Sequence, residues 1–194
     1  MLDYLYRLPA MLIAITIHEF SHGYVANKLG DPTPKNAGRL TLNPFAHIDL
    51  LGALMLFIFR FGWAKPVPIN PYYFKDRKWG IIYVSIAGPL SNLLIAIASM
   101  IIIKHVPLND VIFNIVLLIY WFNLNLSVFN LLPFSPLDGS HVLYCLLPQK
   151  YSFDLQKYET VGQLLLFVLL ITGVINNILN PLLSGINRLI FYIT

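Results

Sequence analysis

Charged side chains are scarce in this chain. Asp, Glu, Lys and Arg make up 11% of its 194 residues, against 57% hydrophobic. A soluble domain carries roughly 25% charged residues and has a polar surface to cover. So few charges cannot cover a water-exposed surface, and a mean hydropathy of +0.69 points to a chain that sits in lipid. Cysteine is nearly absent. The lone Cys145 excludes an internal disulfide and reads as a small apolar packing residue. No basic cluster of the kind that serves a nucleic acid is present. The net charge of +4 comes from Lys and Arg spread thinly at the ends of apolar runs, where such residues anchor spans at the interface. The first apolar run is followed by no A-x-A-like cleavage site, so it is not read as a cleavable signal. No internal repeat, low-complexity stretch or soluble domain is evident, and residues 1–194 read as a single membrane domain.

What is present is a series of apolar runs. The first extends from about Tyr4 to Leu29, and Gly30, Asp31, Pro32 and Pro34 stop it. Residues 36–49, NAGRLTLNPFAHID, are too polar to cross lipid alone. Leu40, Thr41 and Leu42 predict a short extended strand. Irregular backbone at membrane depth survives only when buried in protein or facing a water-filled cavity, so this segment is a candidate re-entrant cavity wall. Residues 50–63 are apolar but short for a span, and 62–80 read as an interfacial loop. Ile81 to Ile103 carries no charged residue and is the clearest span, with Ser85, Gly88, Ser91, Asn92, Ala96 and Ser99 suited to close helix packing. The short link Pro107–Asp110 predicts an antiparallel hairpin with Val111–Leu132. Val161–Leu179 reads as a last span. The expectation is an all-α membrane protein, a polytopic helical bundle of about five spans with a short strand-like re-entrant segment. Five crossings would place Arg7, Lys65, Lys75, Arg77, Lys78, Lys150 and Lys157 on one side and Lys28, Lys35, Arg39, Lys104 and Arg188 on the other. The positive-inside rule makes the first side cytoplasmic.

Chemistry enters at residues 18–22, HEFSH. Residues i and i+4 of a helix lie one above the other, so His18 and His22 can present imidazole nitrogens to one ion. Glu19 lies about 100° from His18 and about 60° from His22 around the helix, so it flanks the pair without having to bind the metal. Two neutral imidazoles and an adjacent carboxylate make the zinc site of many metalloproteases. Three ionisable groups beside an apolar run are costly unless they bind something. A catalytic zinc needs a third protein ligand and an open position. Asp138 is the leading candidate. It sits in NLLPFSPLDG, residues 130–139, where Pro133 and Pro136 break the helix and Gly139 permits a tight backbone. Of the two glutamates, Glu159 is the rival and lacks a supporting motif. His141 reads as a group near Asp138 or as exposed, His47 as bonded to local backbone, and His105 as interfacial. Asn123, Ser127 and Asn130 share one helix face. They suit either hydrogen bonding between helices or a polar wall for substrate or an oxyanion.

Together these residues resemble the site-2 protease family of intramembrane metalloproteases. HEFSH and NLLPFSPLDG match its two motifs in order. GRLTLNPFAHID, residues 38–49, and AGPLSN, residues 87–92, look like segments of the small prokaryotic members, which implies a multi-pass protein of a prokaryotic cell membrane. The resemblance implies Zn2+ held by His18, His22 and Asp138, with Glu19 as the base. It places Asn130 near the metal and gives Asn92 a counterpart in the central span; Asn92, Asn123 and Asn130 are the candidates for substrate or oxyanion contact. Ser140 stands where the family often has a second glycine, and the peptide-binding PDZ domain of some members is lacking. The implied reaction is peptide-bond hydrolysis in or near transmembrane segments of membrane-protein substrates. A regulatory partner or a homo-oligomer is left open. A metal transporter or metal-binding membrane scaffold is the alternative, since transporters also use intramembrane His and Asp.

Overall fold

The computed structural model describes residues 2–52, 64–148 and 159–194, with side chains from residue 7 onward. Among the described residues the regular elements are helices: α1 (Leu2–Lys28), α2 (Thr33–Asn36), α3 (Arg77–His105), α4 (Asp110–Asn130), α5 (Asp138–Leu146), α6 (Glu159–Ile171) and α7 (Asn176–Ile193), with short 3-10 turns at Pro44–Ala46 and Pro71–Tyr73. Helices α3 and α4 are long and apolar enough to cross a membrane; α6 and α7 together would make one more span, bent by 79° at the break between them.

Local chemistry explains the boundaries. The Asp76 carboxylate accepts from the Trp79 amide and opens α3, and Asn109 does the same for Ile112 at the start of α4. Gly30, at φ 104°, turns the chain out of α1. Helices α1, α3 and α4 pack on one another, α5 packs on α3, and α7 on α4. Ala96, Met100, Tyr120, Leu124, Val128 and Ile190 form the core where α3, α4 and α7 meet. A second core joins Leu132 and Leu137 to Leu166 and Ile175. At the C-terminal end of α1, Ala26 packs with Phe74 and Val84 near the start of α3. Helices α1 and α3 are therefore antiparallel neighbours.

Two expectations change. The last apolar run is not one straight helix, because α6 stops at Ile171 and the chain turns through Gly173, at φ 73°, before α7. Residues 40–42 form no strand. Gly38 (φ 66°) and Pro44 flank them, and the chain there runs through turns and bends. Among the described residues the strand-like pairing is a single antiparallel bridge, Ile48 with Ala64. Beside that bridge the Lys65 amide donates to the His47 carbonyl at 3.0 Å, and the Arg39 guanidinium donates to the Lys65 carbonyl. Most of the proposed second span, residues 53–63, lies outside the described residues.

Candidate metal and catalytic site

His18 and His22 sit one turn apart on α1, and Asp138 opens α5. The structure brings all three together. The two Nε2 atoms are 3.0 Å apart, and Asp138 Oδ2 lies 3.1 Å from that of His18 and 3.3 Å from that of His22. They form the group of His, Cys, Asp and Glu side chains able to hold a metal among the described residues. Glu159 is elsewhere, accepting from the Ser135 hydroxyl at 3.4 Å. His141 is exposed and packs edge-on to Tyr144, and His105 is exposed beside the Thr194 carbonyl.

The hydrogen bonds fix which atoms face each other. The Ile119 carbonyl can only accept, so the Asn123 amide nitrogen donates to it. Asn123 Oδ1 then accepts from the Asn92 amide at 2.8 Å, and Ala14 O accepts from the same nitrogen at 3.0 Å. Asn92 Oδ1 is left to accept, at 2.7 Å, from His18 Nδ1–H. His22 Nδ1–H donates to the Val84 carbonyl, also at 2.7 Å. Both imidazoles therefore hold a proton on Nδ1, and in its neutral form each presents a bare Nε2 lone pair. In that form two lone pairs and a carboxylate oxygen face one another at 3.0–3.3 Å. Three such acceptors repel unless a proton or a metal cation sits among them. Nitrogen and oxygen ligands about 2.0–2.1 Å from a tetrahedral zinc lie about 3.3 Å from one another. The observed separations and the donor set fit zinc.

Two glycines make this approach possible. A Cβ on Gly88 would fall 2.4 Å from His22 Nε2 and 2.7 Å from His18 Cε1, and one on Gly139 would fall 2.2 Å from the Leu131 carbonyl oxygen. The α3 backbone thus lies directly against both imidazoles, and α5 starts close enough to the end of α4 to aim Asp138 at them.

Glu19 is held differently. Its Oε2 accepts from the Val67 amide at 3.0 Å. It lines, with His18, a cavity of about 660 Å³, within the size range of small-molecule and peptide pockets. Most of the wall is apolar, with Leu12, Leu126, Phe129 and Phe167 among its residues, while Asn130, His47 and Asp49 add polar groups. The segment expected to form a cavity wall does so through Pro44, His47, Ile48 and Asp49. His47 bonds to local backbone, the Thr41 carbonyl, through Nε2. Asn130 donates to the Leu126 carbonyl of its own helix at 3.0 Å and lies on the cavity, whereas Asn92 and Asn123 are fully buried behind His18.

Comparison with known proteins identifies the family. Residues 102–173 match the model of peptidase family M50. The chain is 36% identical to the Bacillus subtilis protein named "Putative zinc metalloprotease YwhC", covering 93% of this chain and 86% of that one. The chain belongs to peptidase family M50. A Mycolicibacterium smegmatis protein named "Putative zinc metalloprotease Rip2" is 30% identical over 87% of this chain and 68% of its own. The site-2 protease structure from Methanocaldococcus jannaschii superposes with a TM-score of 0.54 at 21% identity, covering 96% of this chain and 74% of that chain, and shares the fold. This M50 peptidase is thus an integral-membrane zinc metalloprotease.

Sequence reasoning missed three contributions to the site. Gly88 read as one of several small packing residues, and Gly139 only as permitting a tight backbone. Val67 acts through its backbone, which composition cannot reveal. Outside the site, Asp31 read as a helix stop, yet it is fully buried.

Proposed function

We propose that residues 1–194 act as one unit that hydrolyses peptide bonds in or near transmembrane segments of membrane proteins. His18, His22 and Asp138 hold the zinc, and Glu19 is the general base. The observation that carries this reading is the convergence of two imidazole nitrogens and a carboxylate oxygen, beside a second carboxylate that opens on an apolar cavity. A zinc ion bound there supplies Lewis acidity and lowers the pKa of its water toward 7. The Val67 amide occupies one oxygen of Glu19, which leaves Oε1 to take the proton from the attacking water and pass it to the leaving amine. Asn92 keeps His18 in the Nδ1–H form, with Asn123 holding Asn92 in turn. Asn130 is the asparagine placed to meet a substrate or a developing oxyanion. A helical substrate hides its amides in i to i−4 hydrogen bonds, so it unwinds before attack. The apolar wall of the cavity accepts its side chains.

In this reading α1, α3, α4 and the bent α6–α7 pair cross the bilayer, and Ile48 and Ala64, which pair with each other, lie on the same side as the end of α1. The membrane is that of a prokaryotic cell. A regulatory partner or a second copy of the chain would act on access to the cavity.

The test separates metal binding from catalysis. Glu19→Gln keeps the acceptor for Val67 but cannot take a proton, so the purified protein keeps zinc near one per chain and loses roughly 10²–10⁴-fold in cleavage. Asp138→Ala, His18→Ala and His22→Ala lower zinc affinity instead. Metal content and cleavage are measured on the same monodisperse samples. An active Glu19→Gln protein refutes the base, and unchanged zinc affinity in Asp138→Ala refutes the third ligand.

A further inference from the structure

Asp31 has a buried carboxylate that the chemistry above does not use. Its side chain is fully buried, which is costly for a carboxylate unless donors surround it. It also lies just past the C-terminal end of α1, where the helix dipole disfavours negative charge. Two amides offset these costs: Thr33 N–H donates to Oδ1 at 2.9 Å, and Asn70 N–H donates to Oδ2 at 2.7 Å. The first bond is a local turn. The second reaches 39 residues along the chain and fixes the end of the segment 65–70, KPVPIN.

That segment is tied at three places. Lys65 is bound through its amide to the His47 carbonyl and through its carbonyl to Arg39. Val67 N–H holds Glu19 Oε2, and Asn70 N–H holds Asp31. Pro66 and Pro68 stiffen the stretch and remove two donors. The segment lies against α1, since a Cβ on Gly23 would fall 3.2 Å from Val67 Cγ1. Arg39 and Asp31 therefore fix its two ends, and the Val67 amide between them meets the catalytic carboxylate.

We propose that Asp31 is a positioning residue for the catalytic base. By anchoring Asn70 it holds the Lys65–Asn70 strap so that the Val67 amide fixes one oxygen of Glu19 and turns the other toward the reacting water. The proposal rests on the assignment of Glu19 as the base. It gives a reason for a buried carboxylate at an unfavourable helix end. It also explains the two prolines: a flexible strap would let the Val67 amide leave Glu19.

The test uses the full chain, zinc-loaded, in lipid nanodiscs. The probe is a synthetic leucine-rich transmembrane peptide with a central Asn-Gly pair. Three changes are compared: Asp31→Ala, an ester in place of the Val67 amide (the α-hydroxy acid of valine at 67), and both together. Hydrogen bonds to charged groups contribute enough that losing one lowers kcat about 10–100-fold, with KM and zinc content unchanged. Because Asp31 acts through Val67, the double variant loses no more than either single one. Additive losses overturn the proposal, as does wild-type kcat in Asp31→Ala. Amide hydrogen exchange gives a second reading that needs no turnover. Within 66–70 only Val67, Ile69 and Asn70 carry an N–H. Asp31→Ala speeds exchange at Val67 and Asn70 while the amides of residues 18–22 stay protected. Unchanged protection at Val67 also overturns it. Full activity in Glu19→Gln sinks the base assignment itself, an outcome distinct from either of these.

Discussion

At the scale of single residues, the tautomer of His18 depends on a chain of acceptors and donors that begins at the Ile119 carbonyl and passes through Asn123 and Asn92. Replacing Asn92 with Leu removes the acceptor for His18 Nδ1–H, and the imidazole loses both its orientation and its preferred tautomer. Zinc affinity then falls about 10–100-fold, the usual effect of losing such a partner, as competition with a chromogenic chelator would show. An Asn92→Leu protein with wild-type affinity would refute this role. Gly88 gives a sharper contrast. Ala in a helix interior is favoured over Gly by about 1 kcal/mol, but a methyl here would overlap the His22 and His18 rings, and overpacking a buried contact costs about 1–3 kcal/mol. Gly88→Ala should therefore lower zinc content and leave the unfolding midpoint of the zinc-free protein unchanged or lower. A fully zinc-loaded Gly88→Ala protein, or a zinc-free one with a raised midpoint, would contradict the close approach of α3 to the imidazoles. His18, Glu19, His22 and Asp138 were legible as a candidate site because the chemistry proposed for them rests on side chains at a recognisable spacing. Gly88 and Val67 were not legible, because one contributes an absent side chain and the other a backbone amide.

Elements were legible where apolar runs were long and bounded by caps. Ile81 to Ile103 lies inside α3, and Val111 to Leu132 is α4 with a two-residue difference at its end. The shorter features depended on contacts that the pattern does not carry. Leu40 and Thr41 have strand-like alternation, but Leu40 packs toward Gly23 on α1, where an added Cβ would fall 3.1 Å from its Cδ2. The break between α6 and α7 falls where Thr172, Gly173, Asn176 and Asn177 interrupt the apolar run, and it is set by Gly173 and the Ile175 core. Helix α5 shows how a short element sets the site. Its first turn presses Gly139 against the Leu131 carbonyl, which is backbone and cannot swing aside. Gly139→Ala therefore shifts the start of α5 and moves Asp138 away from the histidines. Zinc affinity should fall about as far as in Asp138→Ala, although every proposed ligand is still present. Retained zinc in a folded Gly139→Ala protein, measured by elemental analysis after gel filtration, would show that α5 can move without cost.

The whole molecule has a sidedness that follows from contacts between distant segments. Asp31 meets Asn70 and Arg39 meets Lys65, so the end of α1 and the start of α3 lie on one side of the bundle. Lys104 donates to the Phe191 carbonyl and His105 meets Thr194, so the far ends of α3 and α7 lie together on the other side. Arg7, near the start of α1, belongs with that second side because α1 and α3 are antiparallel. Among the described residues the cations then divide unevenly. Lys28, Lys35, Lys65, Lys75, Arg77 and Lys78 fall on the first side with the buried Arg39, whereas Arg7, Lys104 and Arg188 fall on the second. This is a larger asymmetry than the five-crossing arrangement gives, and it moves Lys28 and Lys35 across the membrane relative to that arrangement. The positive-inside rule makes the first side cytoplasmic. Lys35 is exposed and discriminates between the two arrangements. With Cys145 replaced by Ser, a cysteine introduced as Lys35→Cys should resist an impermeant thiol reagent applied to intact cells and react once they are opened. Lys104→Cys should react from outside. Labelling of Lys35→Cys in intact cells would restore a crossing between residues 36 and 64 and would require the contacts of Asp31 with Asn70 and of Arg39 with Lys65 to be absent in the membrane.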